Sequence, residues 1–123
     1  GEEKGGVIAL ENDGGITRFA DDVVKIVKGV NHDWFKLNLD TGNYPDYVYD
    51  DIAKAAPYAV HVHAKFETGG RYGIPKSKVD YHRVKSILES VGYNGWLSIE
   101  YESSGDPKVE IPKFAKQLFE IFR

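Results

Sequence analysis

The stretch that decides the fold is Ala59-Val60-His61-Val62-His63-Ala64-Lys65, because its residues alternate strictly between apolar and polar side chains. Successive side chains of a β-strand point to opposite faces, so the valines share one face while both histidines and Lys65 share the other. Antiparallel strands often turn a polar face to water. Two histidines and a lysine are an unusual choice for solvation alone, and we interpret this face as the lining of a functional site.

Length and composition indicate one ordinary globular domain, with 123 residues of which 41% are hydrophobic and 28% are charged. The net charge of −3 is spread without blocks of like charge, which argues against a nucleic-acid partner. The absence of cysteine excludes disulfides and thiolate metal sites and fits the reducing cytoplasm, where we expect the protein to reside. No apolar run approaches the roughly 18 residues of a membrane span, so no membrane partner is expected.

Three further stretches favour strands, at residues 7–11, 35–40 and 96–101, and a segment with apolar residues at helical spacing follows each of the four strands. No two strands are close enough for a hairpin, which predicts parallel strands joined by helical crossovers. The loop at residues 67–78 is rich in glycine and suits a lid.

The predicted helix boundaries are Thr17 as a cap and Lys28-Gly29 as a stop for the first helix, Pro45 or Asp46 as the start of the second, Asp80 as the cap of the third, and Pro107 with Pro112 before the fourth.

Each predicted strand ends in a potential metal ligand, and parallel strands bring their carboxyl ends to one rim of the sheet. Three carboxylates gathered there would repel one another unless a divalent cation joined them. Three oxygen donors and one imidazole suit Mn, Mg, Co or Zn and do not select among them. Each carboxylate alone could instead cap a helix or pair with a lysine, but equivalent positions in four units favour a metal. The four residues are Glu11, Asp40, His63 and Glu100.

Four short motifs, in this order along the chain, resemble the xylose-isomerase-like sugar phosphate isomerase/epimerase family. That family is a (β/α)₈ TIM barrel, and the motifs resemble its strands five to eight. The resemblance therefore implies an α/β fold, a (βα)₄ half of a TIM barrel, with residues 1–123 as a single half-barrel domain. The motifs are Ile8-Ala9-Leu10-Glu11-Asn12-Asp13-Gly14-Gly15, Asn38-Leu39-Asp40-Thr41-Gly42-Asn43, Val62-His63-Ala64-Lys65 and Ser98-Ile99-Glu100-Tyr101-Glu102.

The resemblance also implies a function, because the family residues that match Glu11, Asp40, His63 and Glu100 bind a divalent metal. In the ketose epimerases of the family the two glutamates also move protons, which implies that Glu11 and Glu100 are catalytic. The expected function is that of a fragment of a metal-dependent isomerase or epimerase acting on a small sugar or sugar phosphate. A metal-dependent sugar or polyol dehydratase on the same site and a non-catalytic, self-associating half-barrel are the alternatives.

Three further residues are candidates for contacting substrate. Lys65 either holds a substrate oxygen or anion or neutralises the carboxylates, and His61 either faces substrate or packs as an interior histidine. Arg71, in the predicted lid, either clamps a phosphate or is a solvated loop residue. Trp96 is expected to pack in the core or at the rim.

A complete (β/α)₈ barrel takes about 250 residues, and this chain has 123. Four parallel strands alone leave two open edges and an uncovered inner face. We therefore expect either a homodimer that assembles eight strands or association with a missing N-terminal half. The glycine-rich start at residues 1–6 favours the second reading.

Overall fold

A four-stranded parallel sheet forms the centre of the computed structural model, which describes residues 1–123. The strand order is β1-β2-β3-β6, and every pairing within this sheet is parallel, as predicted. A separate antiparallel pair, β4 with β5, lies within the predicted loop. The elements are β1 (Ile8–Glu11), α1 (Ala20–Val30), β2 (Phe35–Asp40), α2 (Val48–Ala55), β3 (Ala59–Lys65), β4 (Glu67–Thr68), β5 (Ser77–Lys78), α3 (Tyr81–Ser90), β6 (Leu97–Glu100) and α4 (Pro107–Ile121), with single 3₁₀ turns at Glu2–Lys4 and Ala56–Tyr58.

The two faces of the sheet differ as the alternating sequence predicts. Leu37 and Leu39 of β2 and Val62 of β3 are fully buried in one core with apolar side chains of the helices. Full burial of one such side chain stabilises a fold by about 1.5–3 kcal/mol, so this layer holds the helices to the sheet. The opposite face carries polar side chains that are only partly buried, among them Asn38 and His61. No helix has the length and hydropathy needed to cross a membrane.

The first helix begins and ends later than predicted. Thr17 does not cap it, because the Thr17 hydroxyl donates to the Gly14 carbonyl (2.9 Å) and accepts from the Asp13 amide (3.0 Å), closing the turn after β1. Phe19 occupies the N-cap position instead, without a side-chain cap. The helix also continues past Lys28-Gly29 and ends at Asn31, whose left-handed φ of 47° stops it.

The later helix boundaries agree with the sequence only in part. Asp80 caps α3 as predicted, accepting hydrogen bonds from the amides of His82 (3.0 Å) and Arg83 (3.2 Å). Helix α2 begins at Val48, later than the predicted start at Pro45 or Asp46. Pro112 lies inside α4, where it removes one backbone donor without ending the helix.

The pairing of β1 with β2 is extended by a side chain rather than by backbone. Asn12 is fully buried; its Nδ2 donates to the Asp40 carbonyl (2.9 Å) and its Oδ1 accepts from the Asp40 amide (2.8 Å). One amide side chain thus satisfies both backbone groups of Asp40, as a neighbouring strand residue would. The end of β2 is held in place by this contact.

We expect Asn12→Ala to lower the free energy of unfolding by about 1–3 kcal/mol, because it leaves the buried amide and carbonyl of Asp40 without partners. Urea denaturation followed by circular dichroism measures this change. Asn94→Ala, at an exposed position in the turn before β6, is the matched control and should have little effect. Equal stabilities of the two variants would contradict the role given to Asn12.

Candidate metal centre

The structure brings the four predicted ligands together at the carboxyl ends of the parallel strands. Glu11 ends β1, Asp40 ends β2 and Glu100 ends β6, while His63 lies opposite Asp40 in β3. Each residue offers one ligand atom, and these atoms all lie within 4.8 Å of one another. Residues separated by up to 89 positions in the chain (100 − 11) therefore face one point.

The imidazole of His63 lies between the two glutamates. Its Nδ1 is 2.9 Å from Oε1 of Glu11 and 3.1 Å from Oε2 of Glu100. Asn38 lies two residues before Asp40 in β2, and its Nδ2 is 3.3 Å from each ring nitrogen of His63. The same Nδ1 nitrogen thus meets both carboxylates for which the family resemblance implies a role in proton transfer.

Asp40 is the most buried member of the group, with no exposed surface. Its Oδ1 accepts hydrogen bonds from the amides of Gly42 (2.8 Å) and Asn43 (3.0 Å), which orient the carboxylate. Its Oδ2 is buried without a hydrogen-bond partner. Burial raises the pKa of Asp40 to about 8, although the Lys65 ammonium opposes the rise. A divalent cation would favour the charged form of Asp40 and so would further oppose this rise in its pKa.

A divalent ion fits this set of residues. Oδ2 of Asp40 and Oε2 of Glu100 are both buried without a hydrogen-bond partner, although a buried carboxylate oxygen normally has one. Nδ1 of His63 lies 3.1 Å from Oε2 of Glu100 but is not aligned to form a hydrogen bond with it. Ligands bound at about 2.0–2.2 Å from one ion lie no more than about 4.4 Å apart, close to the observed spacing. The four residues could therefore hold the ion together, and the mixture of carboxylates and imidazole suits Mn, Mg, Co and Zn alike.

Lys65 is buried among carboxylates, with 6% of its surface exposed. Its Nζ forms an ion pair with Glu102 and lies 3.6 Å from Oδ2 of Asp40 and 3.8 Å from Oε2 of Glu100. Burial opposes its charge, but these carboxylates together raise the pKa of Lys65 above its usual value. These contacts favour the reading in which Lys65 neutralises the carboxylates over the one in which it holds a substrate oxygen or anion. Sequence analysis misses Glu102 as a site residue. The available signal is its position two residues after Glu100, which in an extended segment places both side chains on the same face.

The remaining candidates lie at the edge of the centre. The His61 ring packs edge-on against the His63 ring, with 5.5 Å between the ring centroids. Arg71 reaches across the mouth of the sheet to Asp13, with 2.8 Å between Nη1 and Oδ1. The prediction that Trp96 packs in the core or rim is wrong, because the residue precedes an edge strand and is 79% exposed.

Solved structures share the fold of this chain at low sequence identity. A xylose isomerase domain protein from Planctomyces limnophilus has a TM-score of 0.77 and 20% identity over 98% of this chain and 46% of its own. A xylose isomerase-like TIM barrel protein from Mycobacterium smegmatis, in complex with magnesium, has a TM-score of 0.77 and 23% identity over 99% of this chain and 47% of its own. A D-psicose 3-epimerase from Clostridium cellulolyticum H10, solved with D-tagatose, has a TM-score of 0.65 and 24% identity over 99% of this chain and 42% of its own.

This chain therefore spans less than half the length of these structures. A search of the curated proteins gives no significant match. The family model for the xylose isomerase-like TIM barrel, however, matches residues 1–122, which is nearly the whole chain. On that match, and with a parallel sheet of the same architecture, the chain belongs to the xylose isomerase-like TIM barrel family.

Proposed function

We propose that this chain supplies the metal-binding part of a divalent-metal-dependent sugar isomerase or epimerase. The observation that carries the proposal is the convergence of Glu11, Asp40, His63 and Glu100 within 4.8 Å. Two similar folds add support, since one is a magnesium complex and the other an epimerase solved with a ketose. Because those proteins are more than twice as long, the activity belongs to a complete barrel of which this chain forms one part.

The two glutamates are the residues suited to contact substrate. Their side chains are 35% exposed for Glu11 and 37% for Glu100, whereas Asp40 is fully buried and can act only as a ligand. Glu11 and Glu100 come from the two edge strands of the sheet, so a substrate between them meets one carboxyl group from each side.

This placement supports proton transfer beside a carbonyl. A bound divalent ion would polarise the carbonyl and its neighbouring hydroxyl, which acidifies the C–H between them. One glutamate, as carboxylate, takes that proton, and the C–H electron pair moves toward the carbonyl oxygen to give an enediolate. The other glutamate, as carboxylic acid, returns a proton to the opposite face of the same carbon. The result is inversion at that carbon, with one proton removed and one supplied.

The first test is metal binding. We expect the chain to bind one Mn²⁺ or Mg²⁺, and Glu100→Gln to weaken binding at least about tenfold, because it removes a charged ligand of similar shape. Isothermal titration calorimetry measures both affinities. Glu120→Gln makes the same change at an exposed position of α4 and should bind as the unchanged chain does. Equal affinity of the two variants would contradict the assigned site.

The second test is proton exchange. In D₂O with Mn²⁺ we expect the chain to catalyse slow deuterium exchange at the carbon next to the carbonyl of a free ketose, detected by NMR. This partial reaction needs only the metal and the two glutamates, whereas full turnover is expected of the complete barrel. Replacing the acid–base pair one at a time, as Glu11→Gln or Glu100→Gln, should slow this exchange by about 10²–10⁴-fold, whereas Glu120→Gln should not. Exchange that survives either substitution would overturn the proton-transfer roles. Loss of water from the ketose would indicate a dehydratase instead.

An apolar surface at one edge of the sheet supports the proposal that the barrel is completed by further strands. Trp96 is 79% and Phe119 is 78% exposed, and beside them a cavity of about 680 Å³ opens between β6 and α4. Leu97 and Ile99 line it from the strand, and Leu118 lines it from the helix. Exposed apolar patches of this kind mark association sites. A second copy of the chain or the other half of a longer protein would cover this edge.

We therefore expect the isolated chain to self-associate in solution, as measured by light scattering after size exclusion. The double substitution of Trp96 and Phe119 by serine should increase the monomer fraction, because it removes the most exposed apolar surface at that edge. Tyr47→Ser, which removes an aromatic side chain that is 68% exposed in the loop before α2, is the control. A monomeric unchanged chain would contradict self-association.

A further inference from the structure

The end of β3 extends past the end of β2, so it has no strand residue beside it on that side. Asp40 ends β2 opposite His63, whereas β3 continues to Lys65. The chain after Asp40 leaves the sheet in the loop that begins at Thr41. The ladder between β2 and β3 therefore does not reach the backbone amide and carbonyl of Lys65, although buried backbone groups of this kind need partners.

Two side-chain hydroxyls replace the missing strand residue. The Thr41 hydroxyl accepts a hydrogen bond from the Lys65 amide (3.1 Å), and the Tyr81 hydroxyl donates one to the Lys65 carbonyl (2.6 Å). The Thr41 amide and hydroxyl each lie 3.0 Å from the His63 carbonyl and donate to it. The two hydroxyl oxygens are 2.9 Å apart. Together they fix the backbone of β3 at a candidate metal ligand and at the lysine two residues beyond it.

Packing holds both hydroxyls in position. Thr41 has no exposed surface, and Tyr81 is only 2% exposed. Tyr81 is the first residue of α3, and its ring packs against Phe114 and Phe122 of α4, with 5.4 and 6.4 Å between the ring centroids. Because the contacts are buried, a backbone group of Lys65 that loses its hydroxyl partner is left unpaired.

The position of the β3 end determines several distances within the metal centre. Nδ1 of His63 lies 2.9 Å from Oε1 of Glu11 and 3.1 Å from Oε2 of Glu100. Nζ of Lys65 lies 3.6 Å from Oδ2 of Asp40. A small displacement of the β3 backbone would change all three distances, because both side chains are carried by that backbone.

We propose that Tyr81 and Thr41 are positioning residues of the metal centre, which hold His63 and Lys65 in place through the backbone of β3. The proposal rests on the proposed function, because it adds two residues to the support of the metal site assigned there. Groups that orient metal ligands contribute to metal affinity without touching the ion. Tyr81 does so from a helix outside the sheet.

The first measurement is Mg²⁺ affinity by isothermal titration calorimetry. Tyr81→Phe and Thr41→Val each remove one hydroxyl and nearly keep the shape of the side chain. We expect each to weaken binding about tenfold, the lower end of the effect typical of groups that orient metal ligands. Thr41→Ser keeps the hydroxyl and should bind as the unchanged chain does. Tyr93→Phe is the matched control, since it removes a hydroxyl that donates to the Trp96 carbonyl (2.8 Å) at the amino end of β6, and it should not change the affinity.

The second measurement needs no metal and follows the ring nitrogens of His63 by ¹⁵N NMR. We expect Tyr81→Phe and Thr41→Val to shift these resonances, because the ring moves relative to its carboxylate neighbours, whereas Thr41→Ser and Tyr93→Phe should leave them in place. Unshifted resonances in Tyr81→Phe or Thr41→Val, or an equal shift in Tyr93→Phe, would overturn the proposal.

The two measurements together separate this proposal from the proposed function. Ring shifts in a chain that binds no Mg²⁺ would support the positioning of His63 and contradict only the proposed function. Mg²⁺ binding that Tyr81→Phe and Thr41→Val leave unchanged would contradict only the positioning role. An equal loss of affinity in Tyr93→Phe would also contradict that role, because it would reflect a general effect of losing a tyrosine hydroxyl.

Discussion

Repulsion among three carboxylates is the constraint on which the rest of this structure depends. Glu11, Asp40 and Glu100 meet at one rim of a parallel sheet, where ions of like charge disfavour one another's ionised form. The protein places the imidazole of His63 between two of them and the ammonium of Lys65 behind them. These groups offset part of the repulsion, and two buried carboxylate oxygens still lack hydrogen bonds. Such an arrangement could hold a divalent ion.

The accessible parts of the same sheet support the proposal that further strands complete the barrel. Its helix-covered face has a dense apolar core, whereas its polar face and both edge strands remain accessible. The glutamates proposed to move protons come from those two edges. Under the proposed function, any segment that closes the barrel would pair next to them and build the opposite wall of the substrate site. Completing the barrel would then also complete that site.

The position of the candidate ligands along the chain could be predicted because it follows from two regularities that can be read from the sequence. Alternation within a strand assigns His61, His63 and Lys65 to one face, and parallel pairing brings strand ends to one rim. Helix boundaries were less predictable. Thr17 forms a turn with Asp13 and Gly14 rather than a cap, and Asn31 stops α1 through a left-handed backbone. Several local hydrogen-bonding alternatives compete at such positions with similar energies.

The sequence by itself determined the order of the four main strands and the four helices, the separation of polar and apolar faces, and the four residues gathered at the rim. It did not reveal the short β4–β5 pair, which lies in the predicted loop. Only the tertiary structure decided which side chains pair across the site. The Asn12 contact to Asp40, the Lys65 pair with Glu102 and the Arg71 pair with Asp13 join residues 28, 37 and 58 positions apart. Such contacts depend on strand register and on the path of long loops. Neither can be read from the local alternation of polar and apolar residues, because that pattern reports only which face a residue occupies.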